Sequence, residues 1–226
     1  MENPALSQRL ETLVRPTSLQ ASATALLLID LQYGCADEAY GSCAKLVAAS
    51  AEGRAIVDYF LQRVRTIVIP AVVRLQDHFR ACNAEIIFVR IQSLTVDGRD
   101  RSRQHKQVGL HFAPGSREAE VLQAIAPRPD EIVLAKTGTS AFNTTNLPYL
   151  LHNLGITTLV MGGVITSGCV ELNARDASDL GFEVILVEDA CAAWTESIHE
   201  AALRRLSVSY GTVCAAAEVI AWLSGN

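Results

Sequence analysis

Cys169 stands where a thiol could act as a nucleophile. Residues 162–169 leave an apolar run through two glycines and enter a helical pattern, which predicts that Cys169 lies at or near a helix N-terminus. Unpaired backbone N–H groups at such a position favour the thiolate over the thiol. The same groups can hold the oxyanion that forms when a thiolate attacks a carbonyl. The alternative interpretation is a buried structural cysteine, the commonest fate of a free thiol.

Two charged residues, Asp30 and Lys136, end or follow other apolar runs of the chain. A carboxylate at the end of a buried run is costly unless it is paired or has a task. Taken singly, Asp30 could cap a helix or bond a loop, and Lys136 could be a solvated surface lysine. Taken with Cys169, they supply a proton acceptor and a cation beside a nucleophile, the combination that triad chemistry requires.

Short apolar runs that alternate with helical patterns must position these residues. The runs lack polar alternation, which is typical of strands buried on both faces of a parallel sheet; they lie at 23–30, 84–91, 131–135, 157–161, 182–187 and, more weakly, 212–214. The helical patterns lie at 54–82, 116–125, 146–153, 169–180, 197–208 and 215–223. We expect Pro70 to kink or split the first of these helices.

The alternation of strands and helices predicts an α/β fold. Its architecture would be a three-layer α-β-α sandwich around a mostly parallel, six-stranded sheet. Ligands of such sheets bind beyond the carboxyl ends of the strands. Asp30, Lys136 and the segment that carries Cys169 all follow predicted strands, so they should meet at this edge.

The motifs around these three positions resemble those of the isochorismatase-like cysteine hydrolases. Asp30 lies in L-L-L-I-D-x-Q, Lys136 begins K-x-x-x-S-A-F, and Cys169 lies in G-V-x-T-x-x-C-V, which D-A-x-D-x-G follows. The resemblance runs from about residue 23 to about residue 213, with the motifs in the family's order. The family includes nicotinamidases, N-carbamoylsarcosine amidohydrolase, biuret and ureidoacrylate hydrolases, and isochorismatase itself. The resemblance places this chain in the amidohydrolase branch and implies the same Rossmann-like fold.

The resemblance implies that Asp30, Lys136 and Cys169 form a triad that hydrolyses a C–N bond of a small linear amide or ureide. In the family's mechanism the aspartate takes the thiol proton and the lysine holds the carboxylate and the thiolate. The thiolate attacks the carbonyl and releases ammonia or an amine, and water then hydrolyses the thioester. The family also places a cis peptide bond before the cysteine, here between Val164 and Ile165. That bond would aim the N–H of Ile165, with that of Cys169, into an oxyanion hole.

Several polar or aromatic residues near predicted strand ends are candidates for substrate binding. A concave site needs a few such groups to orient its ligand; those near the strand ends are Gln32, Arg90, Gln92, Phe142 and Asn143. Each has a structural alternative, because charges in loops often pair with one another and aromatic side chains are more often core. Trp194 is a further aromatic residue that could wall an apolar pocket.

We predict no metal site and no cofactor. Nicotinamidases carry a D-x-H motif and further histidines after the first helix, and the corresponding stretch here contains no D-x-H. The five histidines are isolated in the sequence. His105 and His111 lie in a polar segment, where we expect them to be solvated.

The composition places the chain among globular proteins and excludes several functions. The 226 residues are 50% apolar and 19% charged, with a net charge of −5 and no basic run that could grip nucleic acid. No apolar stretch approaches the roughly 18 residues of a membrane span. The N-terminus lacks the apolar segment of a secretory signal. The six cysteines include no C-x-x-C pair, so we expect free thiols and a cytoplasmic location.

We expect a single domain over residues 1–226, with 1–22 as an N-terminal extension. The resemblance implies a homo-oligomer, either a dimer or a tetramer. Residues 31–53 form an insertion that could be a lid or an oligomer contact, and the sequence leaves both open.

Two other functions stay open at this point. The chain could be a vinyl-ether hydrolase of the isochorismatase type, although members of that type typically lack the cysteine. It could also be a non-catalytic member that binds a ligand or senses oxidants through Cys169. The complete set of triad residues favours amide hydrolysis over both.

Overall fold

Six strands assemble into one parallel sheet. The computed structural model describes residues 16–225, in which the strands lie in the order β3-β2-β1-β4-β5-β6 and each neighbouring pair is parallel. The strands are β1 (Thr24–Ile29), β2 (Glu85–Ile91), β3 (Ile132–Lys136), β4 (Thr158–Val164), β5 (Glu183–Ala192) and β6 (Thr212–Cys214). The predicted six-stranded parallel sheet is confirmed.

Helices cover both faces of this sheet. The α-helices are α1 (Tyr33–Ala36), α2 (Gly41–Ala49), α3 (Ala51–Arg63), α4 (Ile69–Ala81), α5 (Arg103–Gln107), α6 (Ala141–Thr144), α7 (Leu147–Asn153), α8 (Glu171–Asp179), α9 (Glu196–Ser209) and α10 (Ala216–Leu223). Short 3₁₀ turns lie at Ala21–Ala23, Arg117–Ala119 and Gln123–Ile125.

Two large core clusters lie on opposite faces of the sheet, and a third, small cluster contains Ile91, Phe112 and Ala119. Successive side chains of a strand point to opposite faces, so neighbouring residues of β1 enter different clusters. Leu26 belongs to the cluster that contains Phe60 of α3. Leu27 belongs to the cluster that contains Leu147 of α7. The predicted three-layer α-β-α sandwich is thus present.

The long helix that is predicted over residues 54–82 consists of two α-helices with a π-helical segment between them, near Pro70. α3 and α4 are joined by a π-helical segment, Val64–Val68, and Pro70 lies in the first turn of α4. Proline lacks an N–H and its ring crowds the carbonyl four residues earlier. The wider π turn accommodates the ring while the chain stays helical.

The predicted helix over residues 116–125 is wrong. The chain forms only two separate 3₁₀ turns there. Between them, Val121 pairs with Gln32 in an antiparallel bridge, and the Leu122 N–H donates to the Leu31 carbonyl at 3.0 Å. This pairing with the residues after β1 holds the backbone extended and overrides the local helix propensity.

The N-terminal part of the chain and its domain organisation stay predictions. Residues 1–15 of the predicted extension 1–22 fall outside the described residues. None of the helices within the described part is both long enough and apolar enough to span a membrane.

Candidate active site

The three residues of the predicted triad lie at the carboxyl edge of the sheet. Asp30 directly follows β1, Lys136 is the last residue of β3, and Cys169 lies in the turn that follows β4. β1 and β4 are neighbours at the point where the strand order reverses. Doubly wound sheets open a crevice at that point, so Asp30 and Cys169 flank it.

Lys136 connects the other two residues. β3 lies two strands from β1, a separation of roughly 10 Å at the ordinary strand spacing, which a long side chain can span. Its Nζ lies 3.0 Å from Asp30 Oδ2 and 3.4 Å from Cys169 Sγ. It also donates to the Gly138 carbonyl at 3.1 Å. The ammonium group therefore makes one ion pair and two hydrogen bonds.

Burial sets the protonation of this cluster. The Lys136 and Asp30 side chains are 0% and 1% exposed. Burial raises the pKa of the Asp30 carboxyl above its ordinary value, although the Lys136 charge opposes the shift. Burial alone would lower the pKa of Lys136, but the interactions with Asp30, and after them those with Cys169, outweigh it and raise that pKa. Lys136 therefore stays a cation beside an unusually basic carboxylate.

The surroundings of the half-buried Cys169 favour its thiol form, opposite to the thiolate that the sequence predicts. Burial, and after it the Asp30 carboxylate, raises the pKa of Cys169 to about 12. The residue lies within the π-helical turn Thr166–Val170, and α8 begins only after this turn. Desolvation therefore outweighs the effect of a nearby helix N-terminus. A thiol in this form would need a base to take its proton before it could act as a nucleophile.

The turn that carries the thiol follows a close contact between β1 and β4. Gly163 has a φ of 141°, and a Cβ there would lie 2.1 Å from the Ile29 carbonyl oxygen. A side chain at this position would therefore push the two strands apart. One residue further along the chain, the peptide bond between Val164 and Ile165 is cis.

Asn173, which the sequence analysis missed, ties this turn to the loop after β3. Its Nδ2 donates to the Cys169 carbonyl at 2.7 Å and to the Thr139 carbonyl at 3.3 Å. Its Oδ1 accepts the Ala141 N–H at 2.9 Å. Asn173 is buried and lies one helical turn after Cys169. The signal available in the sequence was an amide residue four positions after the cysteine, which places it on the same face of the helix.

His199 supports the same turn from α9. Its Nε2 lies 2.8 Å from Arg63 Nη2, and its Nδ1 lies 2.8 Å from Thr166 Oγ1. A guanidinium can only donate, so Nε2 accepts and Nδ1 carries the ring proton towards Thr166. Burial and the Arg63 charge lower the pKa of His199 to about 4, so the ring is neutral at neutral pH.

A small cavity reaches the thiol. Its volume is ≈ 80 Å³, and Asp30 and Cys169 contribute to its lining. Its other lining residues come from strand ends and from the segments above them; they are Cys35, Ser42, Ile91, Leu110, Val164, Ile165 and Trp194. The insertion at 31–53 therefore contributes two residues to the cavity, Cys35 and Ser42.

Two segments close over the sheet edge, and we call residues 31–49 and 92–119 together the cover. Lys45 Nζ joins them by donating to the Gly109 carbonyl at 2.6 Å. Gly109 directly precedes Leu110, which lines the cavity. The cover therefore holds one wall of the cavity in place.

One family model matches most of the chain. Residues 24–218 match the Isochorismatase domain. The chain belongs to the isochorismatase family.

Similar proteins of known sequence include two amidohydrolases. Maleamate amidohydrolase of Pseudomonas putida is 39% identical over 99 residues, which cover 44% of this chain and 46% of that protein. Ureidoacrylate amidohydrolase RutB of Methylobacterium radiotolerans is 37% identical over 103 residues, which cover 45% of this chain and 40% of that protein. The chain thus spans less than half the length of each of these two relatives.

A solved structure extends the likeness over nearly the whole chain. The cysteine hydrolase from Pseudomonas syringae pv. phaseolicola matches with a TM-score of 0.78 at 23% identity, and the match covers 96% of this chain and 99% of that chain. At this level of identity the likeness shows the fold.

The side-chain amide of Gln32, which is predicted to bind substrate, instead forms hydrogen bonds with backbone groups of this isochorismatase-family fold. Its Nε2 donates to the Ile91 carbonyl at 2.9 Å and to the Glu118 carbonyl at 2.8 Å. Its Oε1 accepts the Ile91 N–H at 2.6 Å. Gln32 is completely buried and is not part of the cavity lining. It fastens β2 and the cover to the end of β1.

Arg90 and Gln92 also lie outside the cavity lining. Arg90 Nη1 donates to the Ala119 carbonyl at 3.1 Å. The backbone N–H of Gln92 donates to the Lys136 carbonyl at 3.1 Å. Alternation along β2 explains this placement, because Ile91 reaches the cavity and its two neighbours point away.

Phe142 and Asn143 pack beside the site without lining its cavity. Phe142 is buried against Phe182, with ring centroids 6.1 Å apart. Asn143 Nδ2 donates to Asp176 Oδ2 at 2.7 Å. Both residues therefore help to hold α6 in place, and their part in substrate binding stays a prediction.

His105 is buried, so the expectation of a solvated histidine is wrong. Its exposed fraction is 1%. Burial, and then the charges of Lys136 and Arg101, lower the pKa of His105 to about 4. Over residues 16–225, the structure shows no group of three or more histidine, cysteine or acidic side chains that could hold a metal ion.

Proposed function

We propose that this chain is a cysteine-dependent amidohydrolase that cleaves a C–N bond of a small linear amide or ureide. The observation that carries the proposal is the position of Lys136 Nζ, 3.0 Å from the Asp30 carboxylate and 3.4 Å from the Cys169 thiol. This arrangement joins a base, a cation and a nucleophile beside one cavity. The names of the two amidohydrolase relatives support the same reaction class.

In the first half of the proposed reaction, Asp30 removes the thiol proton as Cys169 Sγ bonds to the amide carbonyl. The raised pKa of Asp30 makes it a stronger base than an ordinary carboxylate. Lys136 stabilises the thiolate as it forms. The backbone N–H groups of Ile165 and Cys169 would hold the oxyanion of the tetrahedral intermediate.

In the second half, the leaving nitrogen takes the proton from Asp30 and departs as ammonia or an amine. A water molecule then gives a proton to Asp30 and adds its hydroxyl to the thioester carbonyl. The thiolate leaves and recovers its proton from Asp30. The net reaction is amide plus water to carboxylic acid plus amine, with the protein unchanged.

The test is a screen for ammonia release over primary amides, ureides and carbamoyl amino acids. We expect Cys169→Ala to reduce the rate on the best substrate by about 10³-fold or more. The matched control is Cys82→Ala, because Cys82 directly follows α4 and has no part in the site. Acid quenching of the wild type during turnover should reveal an acyl adduct on Cys169 by mass spectrometry.

Wild-type ammonia release by Cys169→Ala would overturn the proposal. Product masses also separate amide hydrolysis from cleavage of a vinyl ether, which releases no nitrogen. The cytoplasmic location and the dimeric or tetrameric assembly stay predictions, which fractionation and light scattering would test.

A further inference from the structure

The cavity beside Cys169 is mostly apolar beyond its reacting groups. Ile91, Leu110, Val164, Ile165 and Trp194 all contribute to its lining. Burial of apolar ligand surface against such walls favours binding, whereas burial of a charged group there opposes it.

The polar residues that line the cavity beside this apolar wall carry no positive charge. Ser42 offers a neutral hydroxyl, and Cys35 offers a neutral thiol because burial raises its pKa well above the ordinary value. No arginine, lysine or histidine is among the described residues that line the cavity. Lys136 is already paired with Asp30 and hydrogen-bonded to Cys169 and a backbone carbonyl.

Two cations of the cover near Leu110 are held by backbone carbonyls. Arg101 donates through Nε to the Gly98 carbonyl and through Nη1 to the Leu110 carbonyl, both at 2.8 Å. Lys45 donates to the Gly109 carbonyl. These contacts turn both cations towards backbone carbonyls of the cover.

Two further arginines lie near the cover and outside the cavity lining. Arg90 donates through Nη1 to the Ala119 carbonyl, and its buried Nε has no hydrogen-bond partner. Arg117 pairs with Glu120 and stacks over the Tyr33 ring, with Cζ 3.7 Å from the ring centroid. A ligand carboxylate in the cavity would therefore be desolvated without an ionic partner.

The space available is also small. The cavity volume is ≈ 80 Å³. A short acyl group beside the thiol suits a space of this size.

We propose that this site takes a small, uncharged amide with a short apolar acyl group, and that it discriminates against amides that carry a carboxylate. The acyl group lies against Leu110 and Trp194, and the amide carbonyl lies at Cys169. This inference rests on the proposed amide hydrolysis for its catalytic meaning. The selectivity of the cavity can nevertheless be measured without turnover.

The experiment measures binding of three ligands of similar size to the Cys169→Ala variant by ligand-detected NMR. The ligands are isovaleramide, which is apolar, malonamide, which is neutral and polar, and malonamate, which is anionic. We expect isovaleramide to bind at least tenfold more tightly than malonamate, with malonamide between them. Rates of ammonia release by the wild type should follow the same order.

A positive charge added to the wall should reverse this preference. Leu110→Arg should tighten malonamate binding at least tenfold relative to isovaleramide, whereas the matched Leu110→Gln variant should not. Ser42→Arg supplies the same charge from α2 if the first variant does not fold. Each is made in the Cys169→Ala background.

Malonamate binding as tight as isovaleramide binding in Cys169→Ala would overturn this inference and leave amide hydrolysis intact. The reverse failure is also distinct. The expected binding order without any ammonia release by the wild type would support the ligand class and overturn the proposed reaction.

Discussion

The carboxyl edge of the sheet and the cover above it are held together in different ways. At the sheet edge, the parallel register of the strands positions Asp30 and Lys136, and the two side chains pair directly. The cover consists of short helices and turns fastened by individual bonds from side chain to backbone, such as those of Gln32 and Lys45. The positions of the proposed catalytic groups Asp30 and Lys136 therefore depend on strand register, whereas the shape of the cavity depends on the cover. Changes at the edge should therefore stop the chemistry, and changes in the cover should alter stability or selectivity.

The largest effect is expected from Asp30→Asn. The amide keeps the shape of the carboxylate but cannot take the thiol proton. We expect kcat/KM for the best amide to fall by about 10²–10⁴-fold, the usual contribution of a general base. Circular dichroism should show that the fold is retained. A variant that keeps more than a tenth of the wild-type rate would remove Asp30 from the mechanism.

The next effect is on stability, from Lys136→Met. This change leaves the buried Asp30 carboxylate without its cation, which costs about 3–5 kcal/mol of unfolding free energy in comparable buried pairs. Urea denaturation measures the loss. The double variant Asp30→Asn/Lys136→Met removes both charges and should be more stable than Lys136→Met alone. A single variant within about 1 kcal/mol of the wild type would show that the pair is not desolvated.

A smaller loss of stability is expected in the cover, from Gln32→Leu. The change leaves backbone groups of Ile91 and Glu118 without their partner, at a cost of about 1–3 kcal/mol. Gln62→Leu, at an exposed side chain of α3, is the matched control and should change stability by about 0.5 kcal/mol or less. If Gln32→Leu instead reduces kcat/KM with unchanged stability, Gln32 contacts the substrate as the sequence predicts.

The sheet edge could be predicted from the sequence, whereas the cover could not. Uninterrupted apolar runs mark the strands, and strands of one parallel sheet end at one edge, so the meeting of Asp30, Lys136 and Cys169 could be predicted. The cover could not be predicted because its contacts are long-range. The pairing of Val121 with Gln32 replaces a predicted helix, and the burial of His105 depends on how the cover closes over Lys136. Desolvation likewise reverses the predicted pKa shift of Cys169, since burial depth is a property of the whole fold.

The smallest effect is expected beneath the sheet edge, from His199→Gln. Glutamine can still accept from Arg63 and donate to Thr166, but it does not titrate. The folded-state pKa of His199 is about 4, below the ordinary value of about 6.5 in the unfolded chain. The unfolded chain therefore binds this proton first, and wild-type stability falls as the pH drops from 6.5 towards 4. Removing one such group should make the fall shallower, by at most about 1.4 kcal/mol per pH unit.

Urea denaturation of the wild type and His199→Gln between pH 4 and pH 7 measures this difference, and exposed His152→Gln is the matched control. The carboxylates and His105 titrate in all three proteins, so their contributions cancel in the comparison. Equal slopes for the wild type and His199→Gln would mean that the ring accepts a proton beside Arg63 as readily as in the unfolded chain. Because a protonated ring has no acceptor for the Arg63 donor, that result would also remove His199 as the link that holds Thr166 in the turn before Cys169.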